Sequence, residues 1–381
     1  MQYRKLGKTG LILSEVGFGG EHIDNTPAEN VKAVMLEAID NGVNIVDVFM
    51  SGQKIRDDMG NALRGKRKDV ILQGHIGAVL RDGQYSRSRD PIECDRFVKD
   101  FLTRFHTDYI DLGMVHFVDT GEDFKDAFES DYIDYVQKLK QEGVIRYIGA
   151  SSHNPDIAIR MVNTGIIEML MFSINPAFDM LPADIVLEDM FNDTTYQENR
   201  FRLDPRRAEL YRLCEEKNIG ITVMKSLGAG RLLKESTSPF GVALTAIQCI
   251  HYALERPAVA SVLVGAKTVE QMRDCLKYIE ASSVERDYTI IANSKRSALQ
   301  GQCMYCNHCL PCPANIDIAV VTKYLDMARQ NGVRDTVRAH YEALSSNGGD
   351  CVACGSCETN CPFGVGVIKN MQEAAYLFGS V

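Results

Sequence analysis

Eight short β-rich runs recur along the first 285 residues, and each is followed by a stretch with helical periodicity. The runs cover residues 16–19, 44–48, 70–75, 110–116, 147–151, 169–173, 221–225 and 261–265, with amphipathic stretches such as 28–40, 91–105, 132–142 and 242–255 between them. Strands that alternate with helices pair in parallel, because each helix carries the chain back across the sheet. Eight such units predict a (β/α)8 barrel, a TIM barrel, over residues 1–285. A doubly wound open sheet is the competing α/β architecture, but no G-x-G-x-x-G follows the first run.

A barrel of this kind carries its chemistry at the C-terminal ends of the strands. Those ends hold Glu21 and His22, Asp47, His75, His116, the segment 151–154, Asn175, Lys225 and Gly265. Four of the chain's eight histidines fall in that set. Imidazole is the side chain whose ordinary pKa suits proton transfer near neutrality. Asp47, His75 and His116 are therefore the candidate acid–base group. The same three side chains, on consecutive strands, would also suit iron or zinc with coordination positions left open.

Cysteine dominates the remainder, residues 286–381. Eight of the 12 cysteines lie between Cys303 and Cys361. Cys351, Cys354, Cys357 and Cys361, followed by Pro362, have the C-x2-C-x2-C-x3-C-P spacing of loops that wrap a [4Fe–4S] cluster. Cys303, Cys306, Cys309 and Cys312, followed by Pro313, repeat it with one residue fewer before the last cysteine. In paired runs the last cysteine of each ligates the other cluster. The expected sets are Cys303, Cys306, Cys309 and Cys361 on one cluster, and Cys351, Cys354, Cys357 and Cys312 on the other. Zinc would need only four cysteines, and a disulfide framework would need an oxidising compartment. Between the runs, Ile318, Val321, Leu325 and then Val337, Tyr341 and Leu344 keep helical spacing, broken at Gly332 and Gly348-Gly349. Residues 367–378 read as one more helix. This pattern resembles a small α-helical ferredoxin-like iron–sulfur domain. The other cysteines, Cys94, Cys214, Cys249 and Cys275, read as small buried hydrophobes.

A net charge of −9 argues against nucleic acid as a partner. No apolar run is long enough to span a bilayer, so no membrane is expected. Residues 1–7 contain no apolar signal core, so the expected location is cytoplasmic, where thiols stay reduced.

Several segments together resemble the aldo-keto reductase family. They are Tyr3-Arg4-Lys5-Leu6-Gly7-Lys8-Thr9-Gly10 with Val16-Gly17-Phe18-Gly19, Asn41-Gly42-Val43-Asn44-Ile45-Val46-Asp47, Asp108-Tyr109-Ile110-Asp111-Leu112 with His116, and Ile145-Arg146-Tyr147-Ile148-Gly149-Ala150-Ser151. The resemblance runs from residue 1 to about 280, and the whole chain is similar to the branch with a C-terminal 4Fe-4S ferredoxin-type domain. It implies a (β/α)8 barrel that binds NADPH without a Rossmann fold, and a catalytic tyrosine, lysine, aspartate and histidine. The aspartate carries over to Asp47 and the histidine to His116. Gly52 stands where the family has its tyrosine, and His75 where it has its lysine. His75 or His116 would then act as the acid. Tyr85, in the loop after the third strand, carries a further hydroxyl with nothing in the sequence to place it. Candidate nicotinamide contacts are Ser151, Asn175, Lys225, Gly265 and Lys267. Ser152, Met171 and Ile174 replace the family's asparagine, glutamine and stacking aromatic. NADPH or NADH is the implied hydride carrier. A flavin would also link two-electron to one-electron chemistry, though no flavin motif is present.

The leading reading is an oxidoreductase that moves electrons between the clusters and a small-molecule substrate at the barrel mouth. Long insertions at 117–131 and 178–204 would form a lid. Arg81, Arg87 and Arg89 would meet an anionic group or lie as surface charges. The alternatives are a metal-dependent Asp/His/His enzyme, and a non-catalytic redox sensor or relay for an electron-transfer protein partner.

Overall fold

All eight runs become strands, and the strands close on one another. They are β1 (Val16–Gly19), β2 (Ile45–Val48), β3 (Ile71–Ile76), β4 (Ile110–Val115), β5 (Ile145–Ser152), β6 (Met169–Ser173), β7 (Gly220–Met224) and β8 (Val259–Gly265). Each pairs in parallel with its neighbours, and β8 returns to β1 with Val262 opposite Val16. The alternation therefore predicts the observed closed barrel. This computed structural model describes residues 1–198, 203–293 and 299–379.

The chain divides into two compact units. The first comprises Met1–Ile174, Ile219–Leu227 and Val259–Ala281. It contains all eight barrel strands and the helices Ala28–Asp40, Gln53–Ala62, Pro91–Arg104, Asp131–Gln141, Pro155–Asn163 and Val269–Leu276. Two of these helices open with proline at the first turn behind a side-chain cap. Asp90 accepts from Ile92 N, and Asn154 accepts from Asp156 N and Ile157 N. Proline fixes the first turn's φ where no donor is needed.

Inside the barrel, Ile45, Leu112, Met114, Met169, Met171, Ala260 and Leu263 form one buried cluster. Gly149 makes room for it, since a Cβ there would lie 2.3 Å from Met169 Sδ and 2.5 Å from Met114 Sδ. A short antiparallel hairpin, Tyr3–Lys5 with Ile12–Ser14, adds Leu6 and Leu13 to the same cluster. Leu6 lies against Gly220, the first residue of β7, so the hairpin closes the end where the strands begin.

The insertion at 117–131 is not a structureless loop. It contains the helix Gly121–Phe128, opened by a capping box between Thr120 and Asp123. The insertion at 178–204 holds short 3-10 turns and the helix Asp193–Glu198, and its residues 199–202 lie outside the described residues.

The second unit comprises Asn175–Asn218, Gly228–Ala258 and Ser282–Val381. A division at 285 falls near its last boundary, but two earlier segments also belong to it. Their link to the C-terminal residues is a buried polar network. Asp179 accepts from Tyr211 Oη at 2.6 Å and Tyr252 Oη at 3.0 Å, beside Arg207. The Arg256 guanidinium reaches the Met304 carbonyl at 2.6 Å and the Tyr288 hydroxyl at 3.3 Å. Helices Ile318–Asn331, Asp335–Glu342 and Val367–Phe378 follow the predicted periodicity. Arg329 ties the first of these to the last through Glu373 and Asn370, and Tyr341 stacks on Phe378 with centroids 4.0 Å apart. Among the described residues, no helix is long and apolar enough to cross a membrane.

Candidate active site

Neighbouring strands of a parallel barrel bring their C-terminal residues level, and here Asp47 on β2 lies opposite Gln73 on β3. His75 follows two residues later on the same face of β3, and His116 comes directly after β4. The result is a line of hydrogen bonds. His75 Nε2 lies 2.9 Å from Asp47 Oδ1, and the two Nδ1 atoms of His75 and His116 lie 2.8 Å apart. Asp47, His75 and His116 are 3%, 8% and 6% exposed, so the line lies in a desolvated wall. His75 thus bonds to the aspartate from the position where the resemblance implies a lysine.

Gln73, which the sequence does not mark, braces the line from behind. Its Nε2 donates to Asp47 Oδ1 at 2.7 Å, while its Oε1 accepts from the Thr222 hydroxyl at 3.0 Å. Asp47 Oδ1 is therefore an acceptor from two directions. Burial first, and then electrostatic contributions from neighbours that include Arg89 and Arg87, push the His116 pKa well below the usual imidazole range. That imidazole is neutral at neutral pH.

Tyr85 also reaches this site. The segment after β3 folds into a hairpin, Ala78–Arg81 against Gln84–Arg87, turning at Asp82 and Gly83. Both turn residues have positive φ, 51° and 75°, as a two-residue type I′ turn requires. The hairpin places Tyr85 Oη 2.5 Å from His116 Nε2. The Asp82-Gly83 dipeptide between β-compatible residues was the sequence signal for this placement. The arginines here have partners already. Arg81 pairs with Glu93, Arg87 lies over the Phe117 ring near Asp123, and Arg89 donates to the carbonyls of His116 and Phe117.

The candidate nicotinamide contacts divide between the two units. Ser151, at the end of β5, accepts from Phe117 N at 2.8 Å and keeps its own hydroxyl proton to donate. Ser152 instead donates to Asp119, which also binds the His153 ring and backbone. Gly265 faces the His22 ring, whose Nδ1 would lie 2.3 Å from a Cβ there. Lys225 follows β7 with φ of 59°. The backbone of Lys267 is held by Gln271 and Asn30. Asn175, in the second unit, turns its Oδ1 onto the backbone of Ala177 and Phe178.

The two cysteine runs also take up defined positions within the second unit. Cys312 joins Cys351, Cys354 and Cys357 around one hollow, floored by Ile316, Ile318 and Met371. Burial pushes the thiol pKa values of Cys306 and Cys309 up to about 11 and about 12, and neighbouring acidic groups, Cys361 among them, add smaller upward shifts. Among the described residues, no three His, Cys, Asp or Glu side chains are grouped to hold a metal ion. At the barrel mouth, the ring nitrogens of His75 face hydrogen-bond partners rather than a common centre. At the cysteines, the comparison that matters is with a cubane. Each thiolate binds a different iron corner there, so the sulfurs stand farther apart than around one ion with bonds of about 2.3 Å. The remaining cysteines, Cys94, Cys214, Cys249 and Cys275, are buried.

The family model described as "Aldo/keto reductase family" matches residues 15–244. Among curated proteins, "Uncharacterized oxidoreductase YqkF" of Bacillus subtilis (strain 168) is 30% identical over 298 residues, covering 74% of this chain and 92% of that protein. L-galactose dehydrogenase of Arabidopsis thaliana is 24% identical over 304 residues, covering 72% and 86%. Among solved structures, the holo form of aldo-keto reductase AKR11C1 from Bacillus halodurans superposes with a TM-score of 0.61 at 25% identity, covering 79% of this chain and 99% of that one. The family match ends before the cysteine runs.

Proposed function

This chain belongs to the aldo/keto reductase family and is an oxidoreductase of that type, and from that premise we propose that it couples proton and hydride chemistry at the barrel mouth to two [4Fe–4S] clusters. The carrying observation is the unbroken line from Asp47 through His75 to His116. A lysine at the end of β3 would present a point charge with no acceptor. An imidazole there has two working ends, so it can take a proton at one nitrogen and release one at the other. The line therefore supplies proton exchange for a carbonyl–alcohol pair without the family's tyrosine and lysine. A relative named L-galactose dehydrogenase supports a small polyhydroxylated molecule as the substrate class.

A nicotinamide, NADPH or NADH, supplies the hydride when bound. Ser151 fits its amide end because it still has a proton to donate. Lys225 and Lys267, in the same unit as Ser151, are the further candidate holders. Gly265, beside the His22 ring, is a further candidate contact. A flavin, when bound, would convert the two-electron hydride step into the one-electron steps that the clusters carry.

For the clusters, the support is the ferredoxin spacing together with the cross-run grouping. Cys312 shares a hollow with Cys351, Cys354 and Cys357 of the second run. The clusters supply one-electron carriage when bound, and an electron-transfer protein is then a natural partner. Thiolates of this kind need a reducing compartment such as the cytoplasm.

The test is anaerobic purification followed by titration with NADPH and NADH. Bound iron and sulfide, and cluster absorbance that bleaches on addition of a hydride donor, are the expected results. His116→Gln should stop the bleaching without loss of iron. An iron-free preparation made with ample iron and no oxygen overturns the cluster half. Absence of nicotinamide binding and of any hydride transfer overturns the barrel half and leaves a sensor.

A further inference from the structure

We propose that Tyr85 is the hydroxyl that exchanges a proton with the substrate, and that it is wired to Asp47 through His116 and His75. This deepens the barrel-mouth reading above and rests on it. With His75 neutral, the partners at each end set the direction of every bond in the wire. Gln73 Nε2 can only donate, so Asp47 Oδ1 accepts from it and from His75 Nε2. A neutral His75 then has its lone pair at Nδ1, and His116 Nδ1 must donate to it across 2.8 Å. That leaves the lone pair of His116 at Nε2, where it accepts from Tyr85 Oη at 2.5 Å. Three groups, from the hairpin, the end of β4 and β3, thus point their protons toward Asp47 on β2.

Tyr85 is the only member of the wire open to a ligand, being 50% exposed while the other three are buried. Phe49 packs near both ends of the exposed step, edge-on to Tyr85 and parallel to His116. It holds the phenol and imidazole together without competing for their hydrogen bonds.

In the polarity shown by these tautomers, the wire accepts a proton. As a substrate hydroxyl gives its proton to Tyr85 Oη, Tyr85 passes its own to His116 Nε2. The Nδ1 proton of His116 moves to His75, and the Nε2 proton of His75 moves to Asp47. The C–H hydrogen and its two electrons leave to a hydride acceptor, a nicotinamide by chemical class. Carbonyl reduction is the same sequence reversed, so no proton is left unassigned.

The experiment uses the anaerobically purified full chain with NADPH and 4-nitrobenzaldehyde as probe, and side-chain 15N spectra of histidine. Tyr85→Phe should lower turnover by about 100-fold or more, with NADPH affinity held within about twofold. The spectra should show wild-type His116 protonated at Nδ1 and His75 at Nε2, with the His116 Nε2 signal alone moved strongly in Tyr85→Phe. Asp47→Asn should disturb both histidines and lower kcat more than it changes KM. Tyr85→Phe turnover within about threefold of wild type, or His116 protonated at Nε2 in the resting protein, overturns the proposal. A wild-type protein that binds NADPH but leaves the aldehyde untouched is judged by the spectra alone. One that neither binds NADPH nor transfers hydride fails the oxidoreductase reading instead.

Discussion

Replacing Arg256 by methionine tests whether the second unit's buried network serves the first cysteine run. Arg256 is 3% exposed, and its guanidinium holds the carbonyl of Met304, the residue after Cys303. It also lies 4.3 Å from the Tyr252 ring centroid and 4.9 Å from that of Tyr305, the residue before Cys306. A hydrogen bond from a charged group contributes about 1.5–3 kcal/mol, and a desolvated cation over an aromatic face about 2 kcal/mol. Removing the charge also releases its desolvation cost, which is several kcal/mol. Methionine keeps most of the stem's packing, and Tyr288 Oη still donates to Met304 O at 2.6 Å. The net loss should be about 2–4 kcal/mol, a fall of about 5–10 °C in melting. Circular dichroism on heating measures that loss. Iron content and absorbance after brief air exposure measure the second effect, which is faster loss of the cluster proposed at Cys303, Cys306 and Cys309. Melting unchanged within about 2 °C, with equal cluster retention, would refute the reasoning.

Cys312→Ser and Cys351→Ser should deplete the same cluster, and Cys361→Ser should deplete the one that Cys306→Ser depletes; electron paramagnetic resonance of the reduced proteins separates these cases. Gly60→Ala should destabilise by about 1–3 kcal/mol despite alanine's better helix propensity, because its Cβ would lie 2.0 Å from the Arg104 carbonyl oxygen; urea unfolding reads it. Burial opposes ionisation of Asp119, but the His153 and Ser152 contacts outweigh it and hold its pKa below the usual carboxylate value. Its contribution is therefore present above about pH 5 and lost as pH falls through the lowered value, so Asp119→Asn should flatten the acid limb of the stability curve. Glu215, 2.9 Å from the His340 ring, raises that imidazole's pKa. That contribution is full below about pH 6 and fades as pH rises through the raised value, so His340→Gln should reduce the stability difference between pH 6 and pH 9.

The barrel was legible because each strand is a short, doubly buried run, and Val16 to Gly19 or Met169 to Ser173 have no alternative role. Asp47, His75 and His116 were legible because the register of a parallel barrel places strand ends at one rim. Gln73 was not, since a glutamine inside an apolar run gives no sign of which neighbour it will meet. Its partners, Asp47 and Thr222, lie on β2 and β7. Tyr85 was seen but not placed, because the hairpin that aims it was read as loop and its Asp82-Gly83 turn went unused. The segments 175–218 and 228–258 look like ordinary β/α connections. Their membership of the second unit shows only in contacts with residues far along the chain, such as Arg212 with Gln330, Glu255 with Lys323, and Arg256 with Met304.

The N-terminal hairpin gives the barrel a floor. Leu6 and Leu13 seal the cluster containing Met171, and Met171 Sδ lies 3.2 Å from Gln73 Nε2. Water admitted from below would thus come within two side chains of Asp47. With the floor in place, the proposed relay meets solvent chiefly at Tyr85, its most exposed member, so protons and substrate would share one doorway. A chain trimmed of its first fourteen residues would gain a second entrance to the wall that holds Asp47.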